Sequence, residues 1–180
     1  MDRSYTATKD MNYSVFDLIA PDDYAPKVGN LVALLRVTNS SLTKLVNTLT
    51  IEKLDANIKN HNNSIGTLLM HMAAMEYWFQ VITFEGRDLN DQEREFWKGA
   101  LPGELINRSI KNQPIEHYLS HLNNVRNSTY KKLLNCTDTW LYQKHEGAFE
   151  SWGNNYYIWF HLIEDHLCHC GQIKSIITNF

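Results

Sequence analysis

Large apolar residues recur at three- and four-residue intervals along four stretches of this chain. Polar segments carrying the few glycines and prolines separate them. The first stretch runs from Pro26 or Lys27 to about Leu49, with Leu31, Leu34, Leu35, Leu42 and Leu45 as its apolar positions. The second, "NNSIGTLLMHMAAMEYWFQVITF", opens on an Asn/Ser cap and reaches about Phe84. The third begins with Pro114 just inside its start and extends to about Leu134, and the fourth spans about Asn155 to Thr178. Between the second and third, "LNDQEREFWKG" reads as a short extra helix, and residues 1–24 read as an irregular arm. No stretch alternates as a strand does, although "GAFESWGNNYYIW" is compatible with a short extended piece. The pattern predicts an all-α protein: an arm over 1–24 and one four-helix bundle over 25–180.

Helical periodicity also sorts the polar residues, because each residue turns by about 100°. On the wheel of the fourth helix, Ile158, Leu162, Ile173 and Ile176 form the core stripe. His169 lands in the middle of that stripe and Asp165 on its edge, so the two share a face one turn apart. His161 lies further round on the Asp165 side, and His166 lies on the other. On the second helix, His71 interrupts a stripe of Leu68, Met75, Trp78 and Ile82. Two helices thus each direct a histidine inward, and one adds a carboxylate. The third helix is the control. His117 and His121 have the i, i+4 spacing of metal ligands. On its wheel, however, they fall across from the stripe of Ile115, Tyr118, Leu122 and Val125, beside Asn124, Ser128 and Lys131. That is the face expected to be solvated.

A buried carboxylate requires a cation or several donors. Two arrangements meet that requirement here: a divalent metal held by His71, Asp165 and His169, or a polar network in which Asp165 bonds to one of the histidines. Three protein ligands leave coordination positions open, as catalytic rather than structural sites do. Such a set suits zinc, nickel, iron or manganese. His161, one turn before Asp165, is the candidate to orient a ligand, touch substrate, replace a ligand or act as a base. His166 reads as structural.

Composition narrows the partners. The chain has 180 residues, 17 Lys and Arg against 20 Asp and Glu, and a formal net charge of −3. That balance gives no general attraction to nucleic acid or to an anionic membrane. The polar start "MDRSYTATKDMNYS" lacks the apolar run of a signal peptide, and no window suits a membrane span. Three cysteines, Cys136, Cys168 and Cys170, form no disulfide framework, which suits a reducing cytoplasm. Neither Cys168 nor Cys170 shares the inward stripe of the fourth helix.

Two stretches resemble a known family. "SIGTLLMHMAAMEYWF" is similar to the helix-two signature of the DinB/YfiT-like superfamily, with its single ligand histidine. "HLIEDHLCHCGQI" resembles its helix-four signature, which ends in His-x-Gly-Gln-Ile. The resemblance implies a bacterial, metal-binding four-helix bundle whose ligands fall on His71, Asp165 and His169. The middle position is usually histidine, and branches resembling the mycothiol-dependent enzymes carry a glutamate there, so the shorter Asp165 is a departure that leaves His161 or His166 as alternative ligands. The implied activity is a metal-dependent thiol S-transferase, joining a low-molecular-weight thiol to an electrophile, with one divalent ion, zinc or nickel first. A metal-dependent hydrolase and a non-enzymatic metal-binding stress-response protein are the alternatives. The extra aromatics Trp152, Tyr156 and Tyr157 suit the interface of a homodimer.

Overall fold

Helix α1 (Pro26–Val46) starts at a proline, whose fixed φ suits a first turn. Its own residues supply no cap. Asp138, far along the chain, accepts from the amides of Lys27 (2.8 Å) and Val28 (3.3 Å) instead. This computed structural model describes residues 14–58, 63–102 and 110–180. A short α2 (Ile51–Asp55) precedes α3 (Ile65–Gln80), where Ser64 caps the Thr67 amide. The last turn of α3 loosens into π geometry over Val81–Glu85 and stops at Gly86, whose φ of 65° suits glycine. Then follow α4 (Asp91–Phe96), α5 (Ile115–Leu133) and α6 (Asn155–Ile177), the last capped by Asn154. The four long helices are those expected from the periodicity. Pro114 stands one residue earlier than expected, as the extended N-cap of α5. Residues 1–13 of the expected arm lie outside the described residues. The remainder forms a 3₁₀ turn at Val15–Asp17 and runs back along α1, where a Cβ at Gly29 would meet Ala20 at 3.0 Å. The piece expected to be extended is mostly a 3₁₀ turn over Gly147–Trp152. Among the described residues the only β pairing is the isolated bridge of Lys144 with Asn154.

The side-chain pairings set the directions. Gly66 faces Tyr118, Glu76 pairs with Arg126 and Gln80 reaches Thr129, so α3 and α5 run parallel. His71 meets His169 while Phe79 meets His161, so α6 opposes α3. Tyr24 donates to the Tyr130 carbonyl and Arg126 to the Leu35 carbonyl, so α1 opposes α5. The order is up, down, down, up. Parallel neighbours cannot be joined by a tight turn, so a long crossover links them and carries α4. At Gly66 the approach of α5 is close: an added Cβ would come within 2.6 Å of the Tyr118 hydroxyl.

The apolar core has two parts. One gathers Leu42, Leu69, Met72, Leu122 and Ile176, and the other Val32, Leu35, Phe79, Leu133 and Leu162. Between them each long helix contributes a buried polar side chain: Thr38, Glu76, Arg126 and His166.

Glu93 anchors the crossover. It accepts from Arg87 (2.7 Å), from the Tyr77 hydroxyl (2.8 Å) and from the Asn90 amide (2.8 Å). The Arg87 bond, outweighing partial desolvation, holds the Glu93 carboxyl at about 2, and burial with the Glu93 bond pushes the Tyr77 phenol to about 12. A carboxylate with a depressed folded pKa stabilises the fold above its unfolded pKa of about 4.5 and loses that contribution as pH falls towards about 2. Melting temperatures measured across that window should therefore fall more steeply in the wild type than in Glu93→Gln.

Candidate metal centre

His71 projects from the middle of α3, a helix buried on nearly every side, and is 5% exposed. Its Nδ1 donates to the Ala100 carbonyl of the crossover at 2.7 Å. That bond fixes the tautomer and leaves the Nε2 lone pair free. Burial lowers the His71 pKa more than the Ala100 bond raises it, so the ring is neutral at pH 7.

On α6, Asp165 and His169 are successive turns of one face. The His169 Nδ1 donates to Gln172 Oε1 at 3.1 Å, which leaves its Nε2 facing Asp165 Oδ1 at 3.2 Å. This approach is an ion pair at the long end of hydrogen-bond distance, and the second carboxylate oxygen, Asp165 Oδ2, is buried without a hydrogen-bond partner. With Nδ1–H committed to Gln172, the atoms facing each other are a lone pair and an anion. They require a cation between or beside them, either a second ring proton or a metal. Burial acts against charge on both groups. The mutual attraction outweighs it, lowering the Asp165 pKa and raising that of His169. The His71 and His169 rings stand perpendicular with centroids 5.0 Å apart. One ligand atom from each of His71, Asp165 and His169 lies within 4.8 Å of the others. These atoms fit a divalent ion.

The structure thus brings together the three residues selected from the helical wheels. It also corrects the phase of α6. The buried residues are Asn155, Ile158, Trp159, Leu162, Ile163, His166, Ile173 and Ile176, and their stripe centres further towards His166 than the wheel placed it. His166 is therefore the interior histidine, while Asp165 and His169 sit at the stripe's margin, with side chains 24% and 12% exposed. A ligand pair at the margin is reachable from solvent. His161 lies outside the three-atom cluster: it is exposed, 3.5 Å from Glu164 and stacked on Tyr157. His117 and His121 are half-buried, contrary to the expected solvated face, because Phe96 and Trp97 of the crossover lie against His121. The three cysteines are free, and burial pushes the Cys136 and Cys170 thiols to about 11.

The wheels overlooked a second polar cluster directly behind the first. Arg126 Nε lies 2.7 and 3.0 Å from the two oxygens of Glu76, Nη1 donates to the Leu35 carbonyl (2.6 Å), and Nη2 approaches His166 Nδ1 at 3.4 Å. Thr129 donates to Glu76 at 2.6 Å, and Gln80 donates to Thr129 at 2.9 Å. Complete burial and the adjacent guanidinium push His166 down to about 3, so it is a neutral acceptor. The Met72 backbone favours its protonated form, but Nε2 has no directed partner, so that contact is weak. The signal for Arg126 was its place one turn after Leu122, inside the apolar stripe of α5.

The all-α bundle is consistent with the DinB/YfiT-like class. The sequence model of the mycothiol-S-transferase family, which lies within that superfamily, matches residues 30–176, and the chain belongs to this family. Comparison with curated proteins returns no match. Among the described residues no helix is long and apolar enough to cross a membrane.

Removing one member of a buried ion pair strands the other. Arg126→Met should therefore cost about 3–5 kcal/mol in urea denaturation. His117→Ala and His121→Ala should cost about 1 kcal/mol each through lost packing and leave the metal content of purified protein unchanged.

Proposed function

We propose that the chain is a metal-dependent thiol S-transferase, joining a low-molecular-weight thiol to an electrophilic carbon, with one divalent ion held by His71, Asp165 and His169. The observation that carries this reading is the convergence of His71, Asp165 and His169 within 4.8 Å, with a buried Asp165 oxygen lacking a hydrogen-bond partner beside a fixed His71 lone pair, in a chain of the mycothiol-S-transferase family. Zinc or nickel suits the ligands best, and iron or manganese also accepts them. When bound, the ion would lower the pKa of the cosubstrate thiol, so that a nucleophile is available at neutral pH.

The protein's own groups do the rest. The Ala100 carbonyl and Gln172 hold the two imidazoles with Nε2 inward. Asp165 contributes the single negative charge. Half-burial at the margin of α6 admits small reactants while removing most of the bulk water. Met75 and Trp78 continue the His71 face as an apolar wall, with Trp152 packed on Trp78 at 5.5 Å. In this reading His161, one turn before Asp165, would touch a substrate at the rim. Hydrolysis has weaker support: it needs a base aimed at the ligands, and the His161 Nδ1 faces Glu164. The proposal extends to a homodimer in a reducing cytoplasm, packed through the exposed Leu34, Tyr157 and Phe160. Light scattering on the purified protein tests the dimer.

Elemental analysis of untagged protein purified without chelator should give one divalent ion per chain, and His71→Ala/Asp165→Ala/His169→Ala should give none. Because the raised His169 pKa keeps a proton in the metal-free site beyond the ordinary imidazole range, apparent affinity should rise with pH, by up to about tenfold per unit below that pKa. Metal-loaded protein given several small thiols with a chlorodinitroarene or an epoxide should form the conjugate, with a rate that rises through an apparent pKa below the ~8.5 of a free thiol. Ester or amide hydrolysis without thiol would favour the hydrolase. No turnover in either assay would leave a metal-binding protein.

A further inference from the structure

The site's two ligand-bearing helices do not hold each other in register through the ligands alone. His71 lies on α3, and Asp165 and His169 lie on α6. Besides apolar packing, the direct contacts between them are two ring pairs, His71 with His169 at 5.0 Å and Phe79 with His161 at 6.2 Å, and a weak approach of His166 to the Met72 backbone. Hydrophobic burial is non-directional, and it sets the rotation of a helix only through the fit of its side chains, with no directed bond to fix a ligand atom. At a helix radius plus side chain of about 6 Å, a rotation of about 20° displaces a ligand atom by about 2 Å. A metal site tolerates only about 0.2 Å.

Behind the ligands, directional bonds converge. Arg126 of α5 is 2% exposed and binds Glu76 of α3, the Leu35 carbonyl of α1 and His166 of α6, so one side chain links all four long helices. Glu76 follows His71 by five residues on α3, and His166 stands between Asp165 and His169 in sequence. Each ligand-bearing helix is thereby gripped beside its ligands, about 140° round α3 from His71 and about 60° round α6 from His169. A guanidinium can only donate, so the 3.4 Å approach of its Nη2 makes His166 Nδ1 the acceptor.

We propose that the buried Glu76–Arg126–His166 cluster is a positioning device that fixes the rotation of α6 against α3 and so brings His71, Asp165 and His169 to metal-binding geometry. The proposal rests on the metal reading above. His166 acts here as an acceptor on Arg126 and does not contact the ion.

Zinc is the probe, its dissociation constant measured by competition with a chromophoric chelator, beside the melting temperature of each metal-free variant. His166→Leu keeps the bulk and removes the acceptor, whereas His166→Gln restores an acceptor at similar reach. The expected result is zinc binding weakened about 10- to 100-fold in His166→Leu, the usual effect of removing an outer partner of a ligand set. Recovery to within about threefold is expected in His166→Gln. Glu76→Met/Arg126→Met removes both charges together, avoids a stranded ion and should weaken zinc similarly while folding well. Leu133→Ala, in the core away from the site, controls for stability: it should lower the melting temperature and leave zinc affinity unchanged. Tight zinc binding by the wild type with no change in His166→Leu, or equal weakening in His166→Leu and His166→Gln, overturns the positioning role and leaves the metal reading intact. No zinc bound by the wild type overturns both.

Discussion

A guanidinium in the middle of a helix bundle cannot release its proton and cannot reach water, so every donor on it needs an acceptor that the fold must bring. Arg126 makes that demand, and the bundle's arrangement follows from it. Glu76 supplies charge from the parallel neighbour α3, Leu35 supplies a carbonyl from α1, and His166 supplies a ring nitrogen from α6. The apolar core divides around this layer into two clusters. Hydrophobic burial is the larger favourable contribution to folding, but it is non-directional and acts on helix rotation only through side-chain fit. The polar layer does, because a half-satisfied buried network costs more than an apolar one.

The parallel packing of α3 and α5 has a second consequence. It forces a long crossover, and the crossover returns across the face of α3 with its Ala100 carbonyl against His71. The ligand ring is thus oriented by a backbone group from outside the four helices. The stretch itself is tied down by Glu93, with its bonds from Arg87, Tyr77 and Asn90, and by Trp97 in the core. The His117–His121 pair, although spaced like a metal site, is half-covered by that same stretch.

Much of this was legible in the sequence because its causes are local. Ser64 and Asn154 announce their helices through their own hydroxyl and amide, and the observed starts of α3 and α6 fall there. The i, i+4 spacing of Asp165 and His169 survived the misphasing of α6, because both residues move together on the wheel. What escaped depends on distant parts of the chain. A backbone carbonyl such as that of Ala100 has no side chain to mark it. Glu76 sits on a helix buried all round, where an amphipathic wheel has no polar side to compare with. Arg126 was visible as a charge inside the stripe of α5, but its meaning required knowing that α3 runs parallel beside it.

The bond between Ala100 and His71 separates two properties of the site. The architecture belongs to the helices, whereas the orientation and basicity of one ligand belong to a connecting segment. Changes within 86–102 can adjust how strongly His71 donates electron density without repacking any helix. The site is in this sense modular: its reactivity is open to drift, or to exchange of the crossover, while the scaffold that carries it stays as it is.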